Sequence, residues 1–320
     1  MKIASLFSGA GGLDKGFEKA GFKTIWANEY DKTIWDTFKT NFPNTCLNTN
    51  SIVKVQTADI PTVDGIIGGP PCQSWSEAGS RRGIHDNRGK LFYDYIRILK
   101  DKQPKFFLAE NVAGMLQGER KKDFFNIIHQ LEECGYNLSY NLVNANDYDV
   151  PQDRLRVIII GYRKDVNKKF TLPKKKLYKP VLKDAIYDLK DNIATDKDNK
   201  IIIPNHEYML GGFSSIYMSR NRVRSWNEPS FTIQAGARHA PLHPQAPKML
   251  LVEKDKRIFV PNQEHLYRRL SVRECARIQT FSDDFIFRYK NISDGYKMVG
   301  NAVPVNLAYA FARQILEDLK

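Results

Sequence analysis

The chain opens with a short apolar run, IASLF at 3–7, that stops at SGAGG, after which Leu13, Phe17 and Ala20 recur at helical spacing. Further runs, TIWANE at 24–29, VDGIIGG at 63–69, FFLAEN at 106–111 and VIIIGY at 157–162, have the length and composition of buried strands. Between them apolar positions return every three or four residues, at Leu91, Phe92, Tyr95 and Leu99 and again at Phe124, Ile127, Ile128 and Leu131. Strands alternating with helices predict an α/β fold: a doubly wound, mostly parallel sheet with ligand sites at the carboxyl ends of its strands. The alternation stops after residue 165. Short segments rich in Pro, Asn, Lys and aromatic residues run to about 265, followed by helices from about 271 (SVRECARIQ) and about 304 (PVNLAYAFARQILEDL). Three parts are expected: a main domain over 1–165, a smaller domain with its hinge over 166–295, and a C-terminal helix over 296–320 that returns to the first.

Charge sharpens this division. The 320 residues carry 49 Lys and Arg against 36 Asp and Glu, a formal net charge of +13. Residues 163–270 alone hold 22 basic against 11 acidic side chains. A solvated lysine-rich surface explains KKF and PKKK at 168–176 as well as a ligand does, but an excess confined to one segment fits a polyanion docking on one side, with nucleic acid the leading candidate. No apolar run approaches the roughly 18 residues of a membrane span, so a soluble, cytoplasmic protein is expected. Cys46, Cys72, Cys134 and Cys275 are scattered without a CxxC pair, which argues against a disulfide framework or a metal site.

The glycine loop FSGAGGL at 7–13 follows a strand and opens a helix, the arrangement that brings backbone close to a nucleotide-like ligand. Glu29 ends the next strand, where a carboxylate can accept both ribose hydroxyls. Alone, the loop is equally compatible with a glycine turn beside an unrelated acid. Asp14, in the first helical turn, would repel a pyrophosphate, whereas S-adenosylmethionine has no phosphate and carries a sulfonium and an ammonium group. The methyl donor fits better than a dinucleotide.

GGPPCQSWSEAG at 68–79 sets Cys72 behind two prolines and two glycines. By itself such a cysteine is either a small buried residue or a nucleophile held out by a rigid loop. Its context points one way. FSGAGG, the Glu29-Tyr30 pair, GGPPCQSWS, AENV, QDRLRV, RECARIQTF and GNAVPVNLA resemble, in order and over the whole chain, the DNA (cytosine-5) methyltransferase family. RGKLFYDYIRIL, MSRNRVRSWNEP and HLYRRLSVRECARIQ are most similar to its small bacterial members that recognise GGCC.

The resemblance implies an S-adenosylmethionine-dependent, Rossmann-like enzyme that flips a cytosine from duplex DNA and methylates its carbon 5. In it Cys72 is the nucleophile that adds at carbon 6, Glu110 the carboxyl at N3, Asn111 a brace for the loop, and Arg154 the group near O2. The donor falls to Phe7, Gly9, Gly11, Gly12, Leu13, Glu29, Tyr30, Pro70, Asn301 and Val303. Asn50 stands where the family usually has an aspartate, which keeps an acceptor for the adenine amino group but removes its charge. Ser76 and Arg88, in the loop after Gln73, are placed at phosphates or bases. Gln152, Arg154 and Arg156 alternate onto one strand face in the residue reading, with Arg156 toward DNA. Arg220, Arg222, Arg224 and Arg238 are the base-edge candidates, since an arginine can grip guanine O6 and N7 together, and phosphate contact is the alternative for each. RECARIQ is expected to organise the small domain. The implied target is the inner cytosine of GGCC, and the implied setting is a monomer acting on double-stranded DNA beside a cognate restriction endonuclease. An NAD-dependent oxidoreductase, a transfer-RNA cytosine-5 methyltransferase and a noncatalytic nucleic-acid-binding module are the rival readings.

Overall fold

A computed structural model describes residues 1–71, 90–118, 120–191, 193–195, 197 and 203–320. β1 (Lys2–Leu6), α1 (Gly12–Lys19), β2 (Lys23–Asn28), α2 (Trp35–Asn41), β3 (Cys46–Asn48), β4 (Gly65–Gly68), α3 (Lys90–Lys102), β5 (Phe106–Val112), α4 (Arg120–Glu133), β6 (Tyr136–Asn144) and β7 (Leu155–Arg163) build the main layer. The strands form a seven-stranded sheet in the order β3-β2-β1-β4-β5-β7-β6. β1 to β5 pair in parallel, whereas β7 runs antiparallel to both β5 and β6. The order reverses between β2-β1 and β1-β4, so the crevice above the carboxyl end of β1 is the topological switch point, and the glycine loop lies there.

The central strands are mostly apolar, because helices cover both faces of the sheet. Ile3, Ile67, Leu108 and Ile160 pack under α1 and α9 (Val305–Asp318), while Ala4, Ile66, Phe107 and Ile159 pack under α3 and α4. α1 and α9 meet without a gap: a Cβ on Gly16 would come within 2.4 Å of Ala308 Cβ and 2.6 Å of Val305 O. Tyr162 Oη donates to Asp318 Oδ2 at 2.8 Å and ties the end of α9 to β7.

The later half adds α5 (Leu182–Ile186), β8 (Ala194–Thr195), β9 (Glu207–Tyr208), α6 (Ser215–Met218), a hairpin of β10 (Leu250–Glu253) and β11 (Lys256–Ile258), α7 (Val272–Ile278) and α8 (Ile292–Asn301). Its packing is of two kinds. Tyr217, Val223, Leu242, Ala246, Met249 and Tyr267 make a small cluster of their own. α5, α7 and α8 instead share a larger cluster with Phe38 and Phe42 of the α2 region. α7 begins with a capping box, Ser271 Oγ accepting from Glu274 N while Ser271 N donates to Glu274 Oε2. Within RECARIQ, the buried Glu274 also takes two hydrogen bonds of 2.7 Å from Arg268, and so holds α7 to the strand-like segment before it. Among the described residues no helix is long and apolar enough to cross a membrane.

Candidate active site

β1 ends in a bend that only an unusual backbone can make: Phe7, Gly9 and Gly11 all have positive φ, at 54°, 55° and 92°. Ser8 N donates to Asn28 O, fixing the loop to the end of β2. Gly11 has no room for a side chain, since a Cβ would lie 2.2 Å from Phe42 Cε2, and at Gly12 a Cβ would lie 2.3 Å from Val303 O. Above Gly9 nothing comes within 4 Å of that position. The loop is therefore clamped from below and open on one side.

Glu29 borders that opening. Its Oε2 accepts from Gly9 N at 2.9 Å and its Oε1 from Asp31 N at 2.7 Å, while its carbonyl accepts from Trp35 Nε1. Burial raises the pKa of this carboxyl, and the two amide bonds oppose the shift by holding its charge. Tyr30, beside it, is 70% exposed, and the side chain of Asn50 is exposed at the end of β3, its backbone held by Asn48 Oδ1 and Asn28 Nδ2. Asn301 is exposed, whereas Leu13, Pro70 and Val303 are buried. An open backbone loop, an anchored carboxylate, a bare aromatic ring and a free amide on one rim suit a nucleoside, with Gly9, Glu29, Tyr30 and Asn50 the residues able to face it.

Asp14 does not face this rim. It is fully buried beneath α1, where Ser5 Oγ donates to its Oδ2 at 3.0 Å and its Oδ1 has no partner. Burial pushes its pKa up from 3.8 to about 7. The expectation that Asp14 repels a pyrophosphate is corrected on geometry: the carboxyl points into the sheet, and it does not distinguish one cofactor from another.

A second group of polar residues gathers at the end of β5. Glu110 Oε1 receives Arg156 Nε at 2.8 Å, both side chains being nearly buried. Asn111 Nδ2 donates to Pro70 O at 3.0 Å and its Oδ1 accepts from Val112 N. The Glu110 carboxyl faces the GGPP segment, its Oε2 lying 3.5 Å from where a Cβ of Gly69 would stand. Cys72, Ser76 and Arg88 lie outside the described residues.

Arg154 is corrected as well. Gln152 and Arg154 precede β7 and turn inward, and Arg154 is 1% exposed, with Nη1 donating to Ile233 O and Nη2 to Gly300 O and Ala302 O. A guanidinium spent on three interior carbonyls is not the one beside Glu110. Arg156 is.

The four base-edge candidates also separate. Arg220 and Arg238 are exposed, with no hydrogen bond or ion pair among the described residues. Arg222 donates to the carbonyls of Tyr217 and Ile216 and lies over the Tyr217 ring. Arg224 spans Asp153 and Glu228 and lies over Phe231. The structure thus leaves two arginines free and engages two in holding the fold.

Comparison with known proteins decides the class. The model of the C-5 cytosine-specific DNA methylase family matches residues 1–317. The chain belongs to that family. It is 57% identical to the Type II methyltransferase M.FnuDI of Fusobacterium nucleatum, over 100% of this chain and 95% of the relative, and 55% identical to M.NgoPII of Neisseria gonorrhoeae, over 100% and 96%. Among solved structures, a candidate DNA modification methyltransferase encoded within a prophage of E. coli superposes with a TM-score of 0.79 at 25% identity, covering 100% of this chain and 99% of that one.

This DNA methylase is therefore a transferase that methylates carbon 5 of cytosine in DNA, and enzymes of its family and fold depend on S-adenosylmethionine. Cys46 is exposed, while burial raises the thiol pKa of Cys134 and Cys275 and so disfavours their thiolates. Sequence reasoning missed the Arg156–Glu110 pair, because QDRLRV offers two arginines of the same parity. It also missed Phe42, which follows the last residue of α2 and closes the floor of the glycine loop.

Proposed function

We propose that this DNA methylase acts through Cys72 on a cytosine flipped out of duplex DNA, the inner cytosine of GGCC. The observation that carries the reading is the Arg156–Glu110 pair at the end of β5, facing the GGPP segment whose Pro70 carbonyl Asn111 holds. Cys72 follows that segment directly. A base in a duplex cannot reach a side chain at such a depth, so extrusion of the target is part of the reading.

In the reaction proposed, the Cys72 thiolate adds to carbon 6, and the electron pair released into the ring makes carbon 5 nucleophilic. Glu110 supplies a hydrogen bond or proton at N3, and Arg156 orients Glu110 while presenting its remaining N–H groups toward O2. S-adenosylmethionine, when bound, supplies the electrophilic methyl group. With the donor bound, carbon 5 would take that methyl as S-adenosylhomocysteine leaves, its proton would then depart to a base, and the C6–S bond would break to return the thiolate. Glu29 would hold the ribose of the donor, Asn50 would accept from its adenine amino group, and Tyr30 would lie beside it.

We assign DNA reading to 166–295, with Arg220 and Arg238 available for bases or phosphates and Arg222 and Arg224 shaping the surface that carries them. The GGCC assignment rests on the likeness of the 88–99, 218–229 and 265–279 segments to small bacterial methyltransferases. A cognate restriction endonuclease fits the Type II names of the relatives.

The test is a GGCC duplex with 5-fluorocytosine at the inner position, incubated with the protein and S-adenosylmethionine and run on a denaturing gel. Fluorine does not leave as the proton does, so the adduct persists. A shifted band that needs the donor, is lost in Cys72→Ser and is absent with a scrambled duplex is expected. Trapping on a scrambled duplex or on RNA alone overturns the target, and trapping undiminished by Cys72→Ser overturns the nucleophile.

A further inference from the structure

Arg154 is a buried cation without a carboxylate partner among the described residues, an arrangement that survives only when hydrogen bonds replace the lost water. Its acceptors come from two places. Gly300 O and Ala302 O belong to the end of α8, where unpaired carbonyls and the negative pole of the helix gather, and Ile233 O belongs to the segment that leads into Arg238. Gln152 and Gln279 repeat the pattern. Gln152 Nε2 donates to Gln279 Oε1 and its Oε1 accepts from Ile233 N, while Gln279 Nε2 donates to Val299 O and Ala302 O.

The two segments held in this way also touch directly. Gly300 is pressed against the other chain segment so closely that a Cβ would lie 2.3 Å from Gln234 C and O. One residue beyond Ala302, Val303 O rests on Gly12 of the glycine loop. Four residues beyond Gln234, Arg238 is exposed. Gln234 thus abuts Gly300, and the chain just past the same helix end abuts Gly12, so an unbroken line of close backbone contacts joins the two segments.

We propose that Arg154, with Gln279 and Gly300, is a positioning centre that couples DNA engagement by the 234–238 segment to the donor loop, so that each ligand tightens the other. The proposal rests on the assignment of these two surfaces made above. It gives Arg154 a role other than contact with the base, and it requires reciprocity, since the factor by which DNA improves donor binding must equal the factor by which the donor improves DNA binding.

The full chain is titrated with S-adenosylhomocysteine, alone and with a saturating short duplex that the wild-type protein methylates, and with that duplex, alone and with saturating S-adenosylhomocysteine. The wild type is expected to show a coupling factor of roughly fivefold or more. Arg154→Lys keeps the charge but loses the fork, and Gly300→Ala drives a methyl group into Gln234. Both are expected to bring the factor toward one, and Arg154→Gln, which removes the charge, is expected to leave the slope of log Kd against log salt unchanged. A drop of about one in that slope would make Arg154 a phosphate contact and overturn the proposal. If Arg154→Lys does not fold, Gly300→Ala decides. Retention of the wild-type factor in a folded variant, or a wild-type factor of one with both ligands binding, overturns the coupling and leaves the site assignment standing. Failure of the wild type to bind S-adenosylhomocysteine removes the assignment itself.

Discussion

Replacing Asp14 by asparagine should make the protein more stable, and increasingly so as pH rises. The native carboxyl is fully buried and keeps its proton to about 7, whereas an unfolded chain releases it near 3.8. Across that interval the native state binds more protons than the unfolded state, so stability falls as pH rises from about 4 to about 7 and levels off above. At ~1.4 kcal/mol for each pH unit, the full penalty is about 4 kcal/mol, of which about 3 kcal/mol accrues between pH 5 and pH 8. The amide introduced by Asp14→Asn does not titrate, and it can donate to the buried Thr24 hydroxyl. The assay is urea unfolding of both proteins at pH 5, 6, 7 and 8. Other titrating groups are common to the two and cancel in the difference. The gap in unfolding free energy should widen by about 3 kcal/mol over this range. A gap constant to within ~0.5 kcal/mol would mean that Asp14 ionises at an ordinary pKa and that the buried setting described for it is wrong.

Glu110→Gln should lower kcat by about 10²–10⁴ while leaving S-adenosylhomocysteine affinity unchanged, measured by steady-state methylation and calorimetry. Gly11→Ala should cost about 1–3 kcal/mol of stability, because both its φ of 92° and the Phe42 ring oppose a Cβ, and should weaken S-adenosylhomocysteine binding by about tenfold or more in calorimetry. Arg220→Ala and Arg238→Ala should weaken duplex binding in fluorescence anisotropy without moving Tm. Arg222→Ala should lower Tm, since its guanidinium holds the carbonyls of Ile216 and Tyr217.

The sheet was readable where strands are buried on both faces. IASLF, VDGIIGG, FFLAEN and VIIIGY are near-continuous apolar runs, and each overlaps a strand. β6 escaped because it is an edge strand, YNLSYNLVN, with Asn137, Ser139 and Asn141 alternating with larger residues and no long apolar run. Asp14 was misread for a different reason: the glycine loop drew attention to the helix terminus, although a residue three before the buried Phe17 shares its inward face. Arg154 and Arg156 are alike in type and parity. Their roles follow from where β7 starts and from carbonyls some 80 and 146 residues away, which local pattern does not encode. Of the residues read from the sequence as lining the donor, Gly9, Glu29, Tyr30 and Asn50 border the opening, whereas the packing of the loop against Phe42 and Val303 came only with tertiary structure.

The contact of α1 with α9 has a temporal side. Lys19 Nζ and Asn306 Oδ1, which meet across it, are 287 residues apart in the chain. At 5–20 residues per second a ribosome makes them roughly 15–60 s apart. Through that interval the glycine loop exists without Val303 beneath it and Gly16 without Ala308 beside it, so the emerging polypeptide carries an exposed apolar helix face and no finished donor cradle. The donor cradle is thus complete only once Val303 and Ala308 have been made and α9 has docked on α1.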